Sequence, residues 1–298
     1  MPRPHLWMLH GPTASGKTAL AVALAKHLGA RILNTDARQL YREMRIGVAR
    51  PSLEELDEVY HHGIASHSIH DEVTAMSYAQ WAESWVESEL AERQHVVLVG
   101  GSGLYAKALL FHSDPLPKAD PELRAALEAQ WQQEPDQLVA ELQAKDPVYA
   151  AQADLKNSRR VIRALEVIAL TGASYSSQRT SETDPRPRFD ANYHEFALWP
   201  DLRILEDRIA MRTATMFDEG LAEEALALAP QAHLPALQTV GYREFYENPG
   251  ADRPTLEALV RTHTRQYAKR QLTWIQKQPG VERIPLGSSP EVLLSCLP

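Results

Sequence analysis

Short apolar runs, each cut off by glycine or an acidic turn, set the rhythm of the N-terminal part of this chain. His5-Leu6-Trp7-Met8-Leu9 reads as a buried strand, and Gly11 to Thr18 forms a turn before an alanine-rich helix from Ala19 to His27. Arg31-Ile32-Leu33-Asn34-Thr35 is a second strand ending at Asp36, and His95-Val96-Val97-Leu98-Val99 is a later one ending at Gly100-Gly101. Strands alternating with helices predict a parallel sheet that binds ligands at its carboxyl edge, so the turns after these three strands share one rim. The pattern changes at Ser113 to Pro121, where prolines and acids suit an exit linker. From Glu122 to Thr171 the spacing is helical, with Leu123, Leu127, Trp131 and later Val161, Ile162, Leu165, Val167 and Ile168. Arg179 to Asn192, with Pro185 and Pro187, reads as the return linker, Tyr193 to Trp199 as a returning strand, and the remainder to about Gln278 as helices. The expected organisation is therefore an α/β core over 1–112 and 193–298, interrupted by an all-helical insertion domain over 113–192.

Composition narrows the class. The chain has 298 residues, and 44% of them are hydrophobic, enough for a packed core. The opening apolar run is cut short by Gly11 and Pro12, well below the length of a leader or membrane span, so a soluble cytoplasmic protein with no membrane partner is expected. The single cysteine, Cys296, rules out an intrachain disulfide and reads as a bystander. A net charge of −8 argues against indiscriminate nucleic-acid binding, which depends on neutralising phosphates. Yet the basic residues are segregated. Lys156, Arg159, Arg160 and Arg163 lie in one acid-free run, and Arg261, Arg265, Lys269, Arg270 and Lys277 lie in another. A solvated helix face is the plain alternative for either run alone. Arg261, Arg265 and Lys269 are spaced four apart and share a helix face, while Leu256, Leu259, Val260, Tyr267, Leu272 and Ile275 fall largely opposite and read as core.

Gly11-Pro12-Thr13-Ala14-Ser15-Gly16-Lys17-Thr18 fits G-x-x-x-x-G-K-[ST] in full, between a strand and a helix. The glycines let backbone N–H groups curl around phosphate oxygens, the helix start adds positive potential, Lys17 supplies a cation and Thr18 can hold Mg²⁺. Such a loop says phosphate without saying which reaction. Where an ATP-hydrolysing protein of this kind usually carries a metal-binding aspartate after an apolar strand, this chain has Gly100-Gly101-Ser102-Gly103, which disfavours a motor. A small-molecule kinase and a transferase that releases pyrophosphate stay open at this point. In both, Asp36 is placed to take a proton from a nucleophile; a helix N-cap is the plain alternative.

The P-loop followed by Asp36-Ala37-Arg38-Gln39-Leu40-Tyr41 and Gly100-Gly101-Ser102-Gly103-Leu104-Tyr105 resembles the bacterial tRNA dimethylallyltransferases, also called tRNA isopentenyltransferases. Further matches follow in family order: Arg159-Arg160-Val161-Ile162-Arg163-Ala164-Leu165-Glu166-Val167, Val240-Gly241-Tyr242-Arg243 and Lys269-Arg270-Gln271-Leu272-Thr273-Trp274. The last two favour this family over kinases, which share only the P-loop. The resemblance implies an α/β fold with a P-loop NTPase-like parallel sheet flanked by helices. It implies transfer of a dimethylallyl group from dimethylallyl pyrophosphate to N6 of the adenine on the 3′ side of the anticodon, at tRNA position 37, with Mg²⁺ as cofactor.

By the same resemblance, Gly11 to Thr18 hold the donor's phosphates, with Mg²⁺ on Thr18, and Lys17 and Arg212 stabilise the leaving charge. Asp36 hydrogen-bonds N6 and takes its proton, while Ser102 positions the amine or the donor. Adenine's amine is a weak nucleophile, so the allylic carbon must become cationic as pyrophosphate leaves, and stabilising that charge is the main catalytic task. The base must also leave its stack. The tRNA anticodon stem-loop would be held by Asp36, Ala37, Arg38, Gln39, Ser102, Arg124, Arg159, Arg160, Arg163, Gln238, Gly241, Tyr242, Arg243, Lys269, Arg270, Gln271 and Trp274. A monomer is the default.

The chain departs from the family at several points. Ala37 stands where serine is usual and Ser102 where threonine is usual, and Gly63-Ile64-Ala65-Ser66 follows His61-His62 in place of leucine-isoleucine-aspartate. His61, His62, His67 and His70 lack metal-ligand spacing and read as satisfied or exposed histidines. Three other activities fit parts of the sequence: prenylation of free adenine nucleotides, a nucleotide-switched P-loop RNA-binding protein, and the kinase. The basic runs speak against the first, since a mononucleotide needs no extended cationic surface.

Overall fold

The computed structural model describes residues 2–179 and 185–295. Six parallel strands form one sheet in the order β3-β2-β4-β1-β5-β6. They are β1 (His5–His10), β2 (Arg31–Asn34), β3 (His61–His62), β4 (His95–Gly100), β5 (Asn192–Leu198) and β6 (Glu282–Ile284). The interior strands β1 and β4 are buried from their second residue onward, as expected for parallel strands covered on both faces. The edge strands β3 and β6 are too short to leave a signal in the hydrophobic pattern.

The helix Lys17–Leu28 starts two residues before the alanine run that announces it. Its buried Leu20, Ala21, Val22, Leu24 and Ala25 meet Trp7, Leu9, Val97, Val99 and Phe196 of the sheet, and the small alanines let the helix axis come close. Gly29, with φ of 62°, ends it in a left-handed cap whose N–H reaches Ala25 and Lys26 carbonyls. A capping box of Thr74 and Ser77 starts the long helix Ala75–Arg93, which packs beside Gly103–Leu110. The C-terminal helices Leu202–Asp218 and Arg253–Gln276 pack on each other through Leu205, Ile209, Ala268 and Leu272.

Contacts divide the chain into two units, Met1–Leu110 with Phe189–Pro298, and Phe111–Arg188. In the second unit the helices Pro121–Gln133, Pro135–Lys145 and Pro147–Gln152 each begin on proline, whose missing N–H costs nothing at a first helical position. With Ser158–Thr171 they enclose Leu138, Leu142, Val161, Ala164, Leu165 and Val167. Asp146, almost fully buried, caps Tyr149 and accepts from both the N–H and the hydroxyl of Ser176. Among the described residues no helix is long and apolar enough to cross a membrane. Cys296 lies outside the described residues.

Candidate active site

Strands β2, β4 and β1 are neighbours, with Asn34 opposite Val99 and His10 opposite Gly100. Parallel strands lie about 4.8 Å apart, so the turns leaving their carboxyl ends are forced together. The first is the P-loop. Ala14 and Gly16 take positive φ values of 62° and 83°, which tighten the loop ahead of Lys17. The helix that follows has no side-chain cap and no acidic residue in its first turn, so its free N–H groups present unopposed positive potential.

Three cations gather there. Arg208 donates to the Ser15 carbonyl at 3.3 Å, and Lys17 Nζ lies 3.4 Å from the Pro12 carbonyl. Burial pulls Lys17 down to about 8, with Asp36 working against that shift and Arg212 adding to it. Burial likewise pulls Arg212 down to about 10, again opposed by Asp36. These residues, with Thr18, Ser102 and Tyr267, line one cavity of about 660 Å³.

Asp36 is held by a turn that Asn34 organises. Asn34, buried, accepts from the Asp36 N–H at 3.0 Å and donates to the Asp36 and Gly63 carbonyls. One Asp36 oxygen accepts from the Arg38 N–H at 3.0 Å. No helix follows within the turn, so Asp36 is not a helix cap. Its other oxygen lies towards Gly101, 3.3 Å from where a Cβ would stand.

The glycines of Gly100-Gly101-Ser102-Gly103 have separate spatial reasons. A Cβ on Gly100 would sit 2.3 Å from Thr35 Oγ1 and 2.4 Å from the Thr35 carbonyl carbon; on Gly101, 2.2 Å from Gln271 Nε2; on Gly103, 2.4 Å from the Trp274 ring. A metal-binding aspartate at Gly100 would therefore have no room. Ser102 accepts from the Ala37 N–H at 3.0 Å and meets the Tyr267 hydroxyl. Burial and Asp36 push that hydroxyl well above its ordinary range, keeping it neutral.

Other residues expected to touch RNA divide into exposed and engaged groups. Lys269, Arg270 and Gln238 are exposed. The Arg38 guanidinium donates to the Pro235 and Ala236 carbonyls, and Gln39 to those of Val48 and Ala49, so both brace the cavity wall. Gly241, at φ 97°, packs against the Gly47 carbonyl. Tyr242 has no exposed surface, donates to Glu224 at 2.5 Å and packs into the core with Met44, Phe217 and Leu237 behind the cavity wall. Arg243 sits 3.6 Å from Glu244. Gln271 is buried with both ends of its amide bonded, and Trp274 covers Gly103.

In the second unit, Arg159 and Arg160 are exposed. Arg124 and Arg163 converge on Glu166, which has no exposed surface. Arg124, Trp131, Ser158 and Arg159 line a groove on this unit.

The histidines of the 61–70 segment find local partners. His61 bonds the Val59 carbonyl, His62 stacks on Trp81 and Trp85, and His67 meets Ser66 and the edge of Trp81. His70 is exposed.

Three site residues escape the sequence pattern. Arg208 lies one helical turn before Arg212, a spacing that puts both on one face and was available as a signal. Tyr267, expected in the core, lines the cavity; it lies four residues before Gln271 on the same face. Asn34 carries no signal, because its role depends on Gly63.

Residues 39–278 match the family model described as IPP transferase. The chain is 38% identical over 275 residues to a tRNA dimethylallyltransferase of Christiangramia forsetii, covering 91% of this chain and 90% of that one. It is 38% identical over 289 residues to that of Cytophaga hutchinsonii, covering 95% and 93%. The solved full-length tRNA isopentenylpyrophosphate transferase from Bacillus halodurans aligns with a TM-score of 0.70 at 30% identity, over 98% of this chain and 94% of that one. A eukaryotic dimethylallyltransferase acting on tRNA shares the fold, with a TM-score of 0.79 at 22% identity over 95% and 74% of the two chains. With the family model and these relatives spanning nearly its whole length, the chain belongs to the tRNA dimethylallyltransferase (IPP transferase) family.

Proposed function

We propose that this chain transfers the dimethylallyl group of dimethylallyl pyrophosphate to N6 of the adenine at tRNA position 37, releasing pyrophosphate. The half-buried pair Lys17 and Arg212, beside an uncapped helix start and opposed by one carboxylate, supports this most directly. Such a site has an excess of positive charge that a diphosphate offsets, and the offset grows as the bond to carbon breaks and charge moves onto the leaving oxygen. Lys17 and Arg212 follow that charge, and Arg208 holds the loop that carries it. Asp36, on the same rim, accepts the N6 proton as the carbon–nitrogen bond forms. Ser102 and Tyr267 fix the backbone at Ala37 and so the aim of that carboxylate.

The donor set fits Mg²⁺. Thr18 offers a hydroxyl beside the cradle, and no group of three His, Cys, Asp or Glu side chains gathers into a metal site among the described residues. Hard oxygen donors from Thr18 and the substrate's own diphosphate would hold the ion, which supplies neutralisation of the departing charge. Exposed Lys269, Arg270, Arg159 and Arg160 would neutralise phosphates of the anticodon stem-loop. One copy of the chain carries every group named, and the reaction belongs where tRNA is, in the cytoplasm.

Incubation with unmodified tRNA, Mg²⁺ and dimethylallyl pyrophosphate, followed by nucleoside mass analysis, tests the assignment. One adenosine gains a dimethylallyl group, and Asp36→Ala lowers the rate by roughly 10²–10⁴. Prenylated AMP with untouched tRNA would overturn it.

A further inference from the structure

A glutamine buried in the middle of a helix is costly unless its amide is bonded at both ends. Gln271, 7% exposed on the helix Arg253–Gln276, meets that requirement in an unusual place. Its Oε1 accepts from the Thr13 N–H of the P-loop at 2.9 Å, and its Nε2 donates to the Gly101 carbonyl at 2.9 Å. One side chain thus ties the loop after β1 to the loop after β4, which are remote from it in sequence. The same helix face supplies Tyr267 to Ser102 and the Trp274 ring to Gly103. Only Gln271 among these three also grips the P-loop through a hydrogen bond.

We propose that Gln271 is a positioning residue that holds the donor cradle in register with the Gly101-Ser102 loop beside Asp36, and that it does not contact RNA. The inference rests on the proposed transfer reaction, in which the donor's carbon and the acceptor nitrogen must meet between these two loops. Three observations converge. The P-loop amide at Thr13 is committed to Gln271, so that part of the loop is shaped before any anion enters. Gly101 must lack a side chain because Gln271 Nε2 would lie 2.2 Å from its Cβ, and the same point is 3.3 Å from Asp36 Oδ2, so clamp, loop and carboxylate form one packed layer. Lys269 and Arg270, its helix neighbours, are exposed, and Arg270 reaches over the Tyr267 ring, whereas Gln271 is buried against the two loops. Misplacement of reacting groups by about 1 Å can cost on the order of 10²-fold in rate.

The test uses the full chain and two variants, Gln271→Ala and Gln271→Glu, with hydrogen exchange at the Thr13 amide and single-turnover prenylation at saturating substrates. The alanine variant exchanges Thr13 faster than the parent without ligand. Its single-turnover rate falls roughly 10- to 100-fold while KM for the donor stays within about threefold, because no cation is lost. The glutamate variant keeps the size of the side chain and carries the test if the alanine variant does not fold. Its carboxylate still accepts from Thr13 but cannot donate to Gly101 unless protonated, so its rate relative to the parent rises as pH falls. Packing alone predicts no such slope. Unchanged Thr13 exchange, a flat relative pH profile, or an alanine single-turnover rate within about twofold of the parent overturns the proposal. A parent that leaves tRNA unmodified would instead sink the transfer reaction, and Thr13 exchange would still decide the clamp.

Discussion

Lys17 is a cation kept where a cation is unstable. Burial brings it down to about 8, and the carboxylate that partly offsets this, Asp36, is shared with Arg212. The unliganded fold therefore carries a cost that a bound diphosphate removes. Replacing Lys17 by methionine keeps the shape and discards the charge. The variant should unfold at a temperature higher by roughly 2 °C or more and lose measurable pyrophosphate binding, as seen by calorimetry. The sign of the pH effect follows from the same shift. Lys17 must be protonated to attract the donor, so pyrophosphate affinity holds below about pH 8 and falls as pH rises through it. Bound anion favours the charged form and moves that limb upward. The alkaline limb of kcat should accordingly lie above that of kcat/KM.

Elements explain what a sequence can and cannot disclose. Strands β1, β2 and β4 and the P-loop are legible because their signals are local: a run of apolar residues, then glycines at fixed spacing. That spacing also fixes where Lys17 and Asp36 emerge. The supports of the site are not local. Gln271 reaches Gly101, Arg208 reaches Ser15 and Asn34 reaches Gly63, and each pairing exists only once the sheet has assembled. Tyr267 looked like core because an aromatic residue on the apolar side of a helix has the same pattern whether it faces a packed layer or a cavity. The glycine loop illustrates the strictness of these pairings. Gly103→Ala places a methyl 2.4 Å from the Trp274 ring, so either the ring or the loop must move; prenylation should fall at least about tenfold with the protein still folded by circular dichroism. At the opposite, amino-terminal edge of the sheet, His5 and His194 share a hydrogen bond of 2.9 Å and Trp7 donates to His95 at 3.3 Å. Burial first, and then neighbouring imidazoles, hold His95 and His194 below the ordinary histidine value. The unfolded chain thus takes up protons first, and stability present above about pH 6.5 is lost as pH falls below it. In thermal melts between pH 7.5 and about 5.5, His194→Phe, which keeps the stack on Trp7, should flatten this loss without abolishing it, since burial also holds His61 and His62 down.

At the scale of the molecule, a net charge of −8 must be reconciled with binding a polyanion. The resolution is segregation: the α/β unit sets Lys17, Arg208 and Arg212 at the donor cavity and exposes Arg261, Arg265, Lys269 and Arg270 on Arg253–Gln276, while the helical unit carries its own basic run. Within that unit the arginines differ in kind. Arg124 and Arg163 are tied to the buried Glu166, so they hold the helices together. Arg159 and Arg160, exposed and without an ion pair among the described residues, are free to meet phosphate. Each phosphate neutralised contributes roughly 0.7–0.9 to the slope of log affinity against log salt. Replacing both Arg159 and Arg160 by alanine should therefore weaken tRNA binding, lower that slope by roughly 1.5, and leave pyrophosphate affinity unchanged, because the cradle is built wholly within the other unit. Glu166→Gln makes the contrasting case, since it removes the charge that gathers Arg124 and Arg163. It should lower the melting temperature, and any change in tRNA binding should follow the loss of folded helical unit. If the double alanine variant kept the parent's salt slope, these two arginines would be ordinary solvated residues, and the RNA contacts would have to come from the exposed cations of the α/β unit.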